Sequence, residues 1–142
     1  MLLAANYICL LAGKVCIITG ASSGFEESIS KRFILEGANV VIAEINESAG
    51  KRFEKEIASI SHPGSKGQVL LVHTDVTSKQ SWGDLMSKTL DRSGKLDIVL
   101  NNVGTTYVKK PSHEVTERGW QMLIDINMKS TYQVRPLSCH TS

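Results

Sequence analysis

Short apolar runs alternate along this chain with longer stretches in which apolar side chains recur every three or four positions, the pattern of a parallel sheet covered by helices. The first run, Val15-Cys16-Ile17-Ile18-Thr19, is continuous and mostly β-branched, as a central strand buried on both faces should be. A Gly/Ser turn follows, and then a predicted helix with Phe25, Ile29 and Phe33 on one face, stopped at Gly37. Residues 40–43 read as the second strand. Asn46 is a good N-cap for a helix carrying Ala49, Phe53, Ile57 and Ile60 on one side. Beyond a Ser/Pro/Gly loop over 61–67, residues 69–72 form a third strand, Trp82, Leu85, Met86 and Leu90 an apolar helical stripe, and residues 96–100 a fourth strand. The last amphipathic segment starts near Glu114, carries Trp120, Leu123, Ile124 and Met128, and is expected to end near Tyr132. No repeat, low-complexity tract or linker divides the chain, so residues 1–142 are expected to form one incomplete α/β domain with helices on both faces of the sheet.

Composition narrows the function classes. Sixteen basic and fourteen acidic side chains are scattered along the chain, for a net charge of +2, which offers neither nucleic acid nor a membrane surface an electrostatic footprint. The apolar opening, residues 1–11, lacks a basic n-region, is too short to span a bilayer and leads directly into the first strand, so it is not expected to be a targeting signal. Three cysteines, Cys9, Cys16 and Cys139, show no C-x-x-C pair and no Cys/His spacing suited to zinc. That usage points to a reducing, cytoplasmic compartment, and the four dispersed histidines suggest no metal site.

The chemistry begins where the first strand turns into the first helix, at Thr19-Gly20-Ala21-Ser22-Ser23-Gly24-Phe25-Glu26. A helix N-terminus offers unpaired N–H groups and the positive end of its dipole, and glycines let a phosphate approach that backbone. The stretch resembles the T-G-x-x-x-G-x-G turn of the short-chain dehydrogenase/reductase family, and the resemblance continues in register along nearly all of the chain. It implies the N-terminal portion of a doubly wound Rossmann fold with strand order 3-2-1-4, and a dinucleotide held by Thr19, Gly20, Ser22, Ser23, Gly24 and Phe25. Glu44 closes the second strand where the family places an acidic residue on the adenosine ribose hydroxyls, favouring NAD over NADP. Asp75 and Val76 match the pair beside the adenine ring. Asn101-Asn102-Val103-Gly104 resembles N-N-A-G, which gives Asn102 and Gly104 to the cofactor cleft. Asn127 matches the helix asparagine that helps hold a proton-relay water in the family.

Two departures qualify the resemblance. Glu26 stands where the family has a third glycine, and at about 5 Å and an effective dielectric of about 20–80 its charge would oppose each phosphate charge by roughly 1–3 kcal/mol. Dinucleotide binding is therefore expected to be weakened. The family's general acid, a tyrosine with a lysine four residues later, has no counterpart: Leu11 follows Tyr7 at that spacing, Pro111 follows Tyr107 and Pro136 follows Tyr132. Residues 133–142 do not resemble the family's continuing helix and read as a tail outside it, an altered reading frame or an alternative splice end.

The expected function is thus hydride transfer between an alcohol or carbonyl and NAD(P) by descent, in a chain without turnover because the catalytic Ser, Tyr and Lys are absent, Asn127 being an accessory remnant. Two alternatives stand beside it: a non-catalytic nucleotide-binding or interaction module, and an incomplete gene model of an active 3-oxoacyl-reductase-like enzyme. A fourth strand left as an open edge is expected to favour self-association or pairing with an intact homologue.

Overall fold

A computed structural model of the chain describes residues 9–20, 24–60 and 67–138, the last four of these by backbone alone. Four strands, β1 (Val15–Thr19), β2 (Asn39–Glu44), β3 (Val69–His73) and β4 (Ile98–Leu100), pair in parallel in the order β3-β2-β1-β4. Cys16, Ile17 and Ile18 of β1 face Val40, Val41 and Ile42 of β2 on one side and Ile98, Val99 and Leu100 of β4 on the other. Every residue of β1 is buried, which is what its unbroken apolar run demands of a central strand.

Parallel neighbours require crossovers, and helices supply them: α1 (Gly24–Leu35), α2 (Glu47–Ala58) and α3 (Lys79–Ser93). Alternate strand residues feed two cores. Cys16, Ile18, Val40 and Ile42 pack with Ile34 of α1 and with Phe53 and Ile57 of α2. Ile17, Val41, Ala43 and Val72 pack with Trp82, Leu85 and Met86 of α3. The helix ends follow local chemistry: Asn46 Oδ1 accepts from the Ala49 N–H at 3.1 Å, Ser78 Oγ accepts from the Ser81 N–H at 3.2 Å, and Gly94 closes α3 at φ +71°.

Three expectations about these elements are corrected. Phe25 does not join the buried face of α1 but is 84% exposed, because it lies in the first turn, beyond the last residue of β1; Ser30 and Ile34 are the residues that α1 buries. The fourth strand shortens to three residues, since the Asp97 carboxylate accepts from the Val15 N–H at 2.8 Å and the Asp97 N–H donates to the Val15 carbonyl at 2.9 Å, tying the strand entrance down before pairing begins. The last helical segment starts later and runs further than its pattern suggests. Thr116 caps α4 (Glu117–Ile124), a π-helical turn follows over Asp125–Lys129, and α5 (Ser130–Ser138) continues past Tyr132. Trp120 and Met128 are 55% and 64% exposed, whereas Leu123 and Ile124 of the same stripe are half-buried.

Candidate functional site

In an open parallel sheet, ligands bind beyond the carboxyl ends of the strands, where neighbouring connections diverge to opposite faces. Here that point lies between β1 and β4, and a cleft of about 390 Å³ opens at it. One wall carries Glu44 and Ile45 from the end of β2 with Asp75, Val76 and Thr77 from the loop after β3; the other carries Gly20, Glu26, Asn102, Val103 and Gly104, with Ile126 from the π-helical turn.

Glu44 holds its place because β2 ends on it: its carbonyl accepts from the Thr74 N–H at 3.0 Å, and its Oε1 from the Asn46 N–H at 3.0 Å. Asp75 forms a local turn, with Oδ1 accepting from the N–H of Thr77 at 2.9 Å and from its hydroxyl at 2.7 Å. Val76 is buried, and its carbonyl takes the indole N–H of Trp82 at 3.0 Å, which anchors this wall to the core under α3.

The opposite wall hangs from one hydroxyl. Thr19 is fully buried and faces the loop after β4 rather than the cleft. Its Oγ1 donates to Asn101 Oδ1 at 3.1 Å and accepts from the N–H groups of Asn102 at 3.1 Å and Val103 at 3.3 Å. Asn101 then reaches α5, its Nδ2 donating to Thr131 Oγ1 at 2.6 Å. Gly20 turns with φ +68°, and a Cβ there would stand 3.0 Å from Val103 Cγ2, so both its backbone angle and its lack of a side chain are used. Gly24 opens α1 at φ +63°. Ser22 and Ser23 lie outside the described residues, and Phe25 points its ring into the open beside the turn.

Asn127 clamps the loop that carries Gly104. Its Oδ1 accepts from the Thr105 N–H at 2.8 Å and its Nδ2 donates to the Thr105 carbonyl at 2.9 Å, so the amide serves as a bidentate partner for backbone. The π-helical turn sets this asparagine one residue out of α-helical register with its neighbours, opposite the loop.

Glu26 also enters the cleft. Its Oε1 accepts from Asn102 Nδ2, a bond from the first turn of α1 to the loop after β4, and its Oε2 lies 3.1 Å from where a Cβ on Gly24 would stand. The carboxylate is thus folded back over the start of the helix. Sequence reasoning identifies Glu26 as a departure but not its partner, which is 76 residues away in the chain. It also passes over Thr131 and Ile126, neither of which carries a recognisable signal; Ile45, apolar and 59% exposed immediately after a strand-ending acid, carries a weak one.

A parallel sheet of this order, with a glycine turn leading into a helix and an acidic residue ending the adjacent strand, is the Rossmann nucleotide-binding fold. The family model described as short chain dehydrogenase matches residues 14–137, and the chain belongs to that family. It is 35% identical over 127 residues to an L-fucose dehydrogenase of Oryctolagus cuniculus, covering 89% of this chain and 42% of that protein. It is 34% identical over 122 residues to glucose 1-dehydrogenase 2 of Bacillus subtilis, covering 86% of this chain and 46% of the relative. Among solved structures, a 3-ketoacyl-(acyl-carrier-protein) reductase from Brucella melitensis complexed with NADH superposes with a TM-score of 0.80 at 30% identity, over 91% of this chain and 50% of that one. The chain therefore spans about half the length of the relatives it matches or a little less. No described helix is long and apolar enough to cross a membrane.

Proposed function

We propose that this chain is the nucleotide-binding half of an oxidoreductase that exchanges a hydride between NAD and an alcohol or carbonyl carbon, and that these 142 residues by themselves bind the adenosine part of the cofactor without turning over a substrate. The observation that carries the reading is Glu44, a carboxylate fixed at the end of β2 on the cleft wall shared with Asp75 and Val76. Family membership and the NADH-bound relative support a nicotinamide dinucleotide as the ligand class.

The residues present fit the adenosine end of that ligand. Glu44 accepts hydrogen bonds from ribose hydroxyls, Asp75 and Val76 flank the base, and the loop over 101–104, hung from Thr19 and pinned through Asn127, closes the opposite wall. They do not fit the diphosphate, whose place at the start of α1 is taken by the Glu26 carboxylate. When bound, the nicotinamide ring supplies the hydride acceptor or donor. A carbonyl that receives a hydride becomes an alkoxide and must be protonated as it forms, and no Tyr-x-x-x-Lys pair is present in the sequence to do this. Asn127 does not replace the pair, because an amide has no proton to exchange at neutral pH and both of its polar atoms are bonded to Thr105. A cytoplasmic setting agrees with the free thiols of Cys9 and Cys16, and the open edge of β4 supports self-association or pairing with an intact homologue.

The test is a titration of the purified chain with NAD and NADP, with absorbance of the reduced nicotinamide followed over a panel of alcohols and carbonyls. At about 4 Å and an effective dielectric of about 20–80, Glu44 opposes each charge of a 2′-phosphate by roughly 1–4 kcal/mol, so NAD binds at least about tenfold more tightly. Glu44→Gln narrows the gap. NADP binding as tightly as NAD refutes the role of Glu44, and turnover by the chain refutes the second half of the proposal.

A further inference from the structure

We infer that Glu26 makes this cleft selective for adenosine with a free 5′-hydroxyl over any adenine nucleotide carrying a 5′-phosphate, its carboxylate being a built-in anion in the position a diphosphate would take. The inference rests on the adenosine reading above and specifies which ligand that site prefers.

Three observations converge on it. Glu26 lies in the first turn of α1, at the carboxyl end of β1, where the helix dipole and unpaired N–H groups draw an anion. Its Oε2 folds back over Gly24, filling the space that the missing side chain leaves for a phosphate. Its Oε1 bonds Asn102 Nδ2 on the loop after β4, and both residues line the cleft on the side opposite Glu44 and Asp75, so the carboxylate is held at the phosphate end.

The chemistry separates the ligands. A 5′-hydroxyl is a hydrogen-bond donor and a carboxylate an acceptor, so a nucleoside gains a partner at Glu26. A 5′-phosphate offers only acceptors and negative charge at neutral pH. To bind, it must displace the carboxylate from the helix start, break the bond to Asn102 and bear the remaining repulsion. The order of preference is therefore the reverse of that of a site in which glycine leaves the helix start bare.

The experiment is isothermal titration of adenosine, 5′-AMP and NAD into the chain and into Glu26→Gln and Glu26→Gly, with far-UV circular dichroism and a thermal melt on each protein. Glu26→Gln keeps the bulk and a donor–acceptor pair with Asn102 while removing the charge; Glu26→Gly removes both. In the unaltered chain adenosine is expected to bind about tenfold or more tightly than 5′-AMP or NAD. Both variants are expected to raise affinity for 5′-AMP and NAD by about 10- to 100-fold; Glu26→Gln, which keeps an acceptor oxygen, leaves adenosine within about threefold, and Glu26→Gly, which loses it, weakens adenosine by about 2- to 10-fold. Binding of 5′-AMP as tight as that of adenosine to the unaltered chain, or no gain for 5′-AMP in a folded Glu26→Gln, overturns the inference while leaving the adenosine site intact. Failure of all three proteins to bind adenosine, 5′-AMP or NAD overturns the nucleotide-binding proposal itself, and this inference with it.

Discussion

Replacing Thr19 by valine removes one oxygen and keeps the shape, so it isolates what that oxygen does. The hydroxyl is buried and is the acceptor for two backbone N–H groups, those of Asn102 and Val103, while donating to Asn101. A buried donor left without a partner costs about 1–3 kcal/mol, and the loop here is only partly buried, which places the sum for both N–H groups at roughly 2–4 kcal/mol. Valine has a strand propensity close to that of threonine and is more apolar, so strand formation and burial alone predict no loss. Thr19→Ser is the control: it keeps the oxygen and deletes a methyl group, at about 1 kcal/mol. Urea denaturation followed by circular dichroism should therefore rank the unaltered chain above Ser and Ser above Val, with the melting temperature of Thr19→Val lower by about 5–15 °C for a chain of this size. Nucleotide affinity should fall in the same order, because Asn102, Val103 and Gly104 reach the cleft on the loop that the hydroxyl holds. A valine variant as stable as the unaltered chain, or more stable than serine, would refute the claim that this hydroxyl fixes the wall.

Gly20→Ala should cost about 1–2 kcal/mol for its left-handed backbone plus a contact with Val103, and adding Val103→Ala should recover only the contact; a double variant no more stable than Gly20→Ala in urea would show that the side-chain contact is not limiting. Asn127→Leu should speed amide hydrogen exchange at Thr105 while leaving β1 unchanged, and equal exchange in both proteins would show that the loop is held elsewhere. The Val15 N–H, and after it Lys95, hold the Asp97 carboxyl below its ordinary range. Since the folded value lies below an unfolded value of about 4, the stabilisation is complete above that pH and is lost as pH falls through the folded value. Asp97→Asn should therefore flatten the loss of stability below about pH 4, and an unchanged acid limb would remove Asp97 from that account.

The burial of β1 was legible in its continuous apolar run, whereas the strand order and the gathering of Glu44, Asp75, Val76, Asn102 and Gly104 at one cleft were expected from the family resemblance, which places those residues at strand ends. The helix faces were less so. Phe25, Trp120 and Met128 continue apolar stripes, yet a period says which side chains share a face and not what lies across from it. The inward turn of Thr19 and the bond between Glu26 and Asn102 were not legible at all: each joins residues more than 70 positions apart, and nothing local to either partner encodes the other. The π-helical register of Asn127 is likewise invisible to a 3.6-residue repeat.

Because β1 and β2 send alternate side chains to two cores, each face of the sheet has its own set of packing partners. A smaller residue at Ile18 would open space beside Ile34 or Phe53, and a larger one at Ile17 would press on Trp82 or Leu85, each on its own side of the sheet. The two faces can drift through sequence space at separate rates, joined only by the backbone ladder between them. The ligand cleft sits at the ends of that ladder and shares Ala43, Val76 and Val103 with the core under α3, so drift on that face reaches the cleft directly, whereas drift on the opposite face reaches it only if the strands slide.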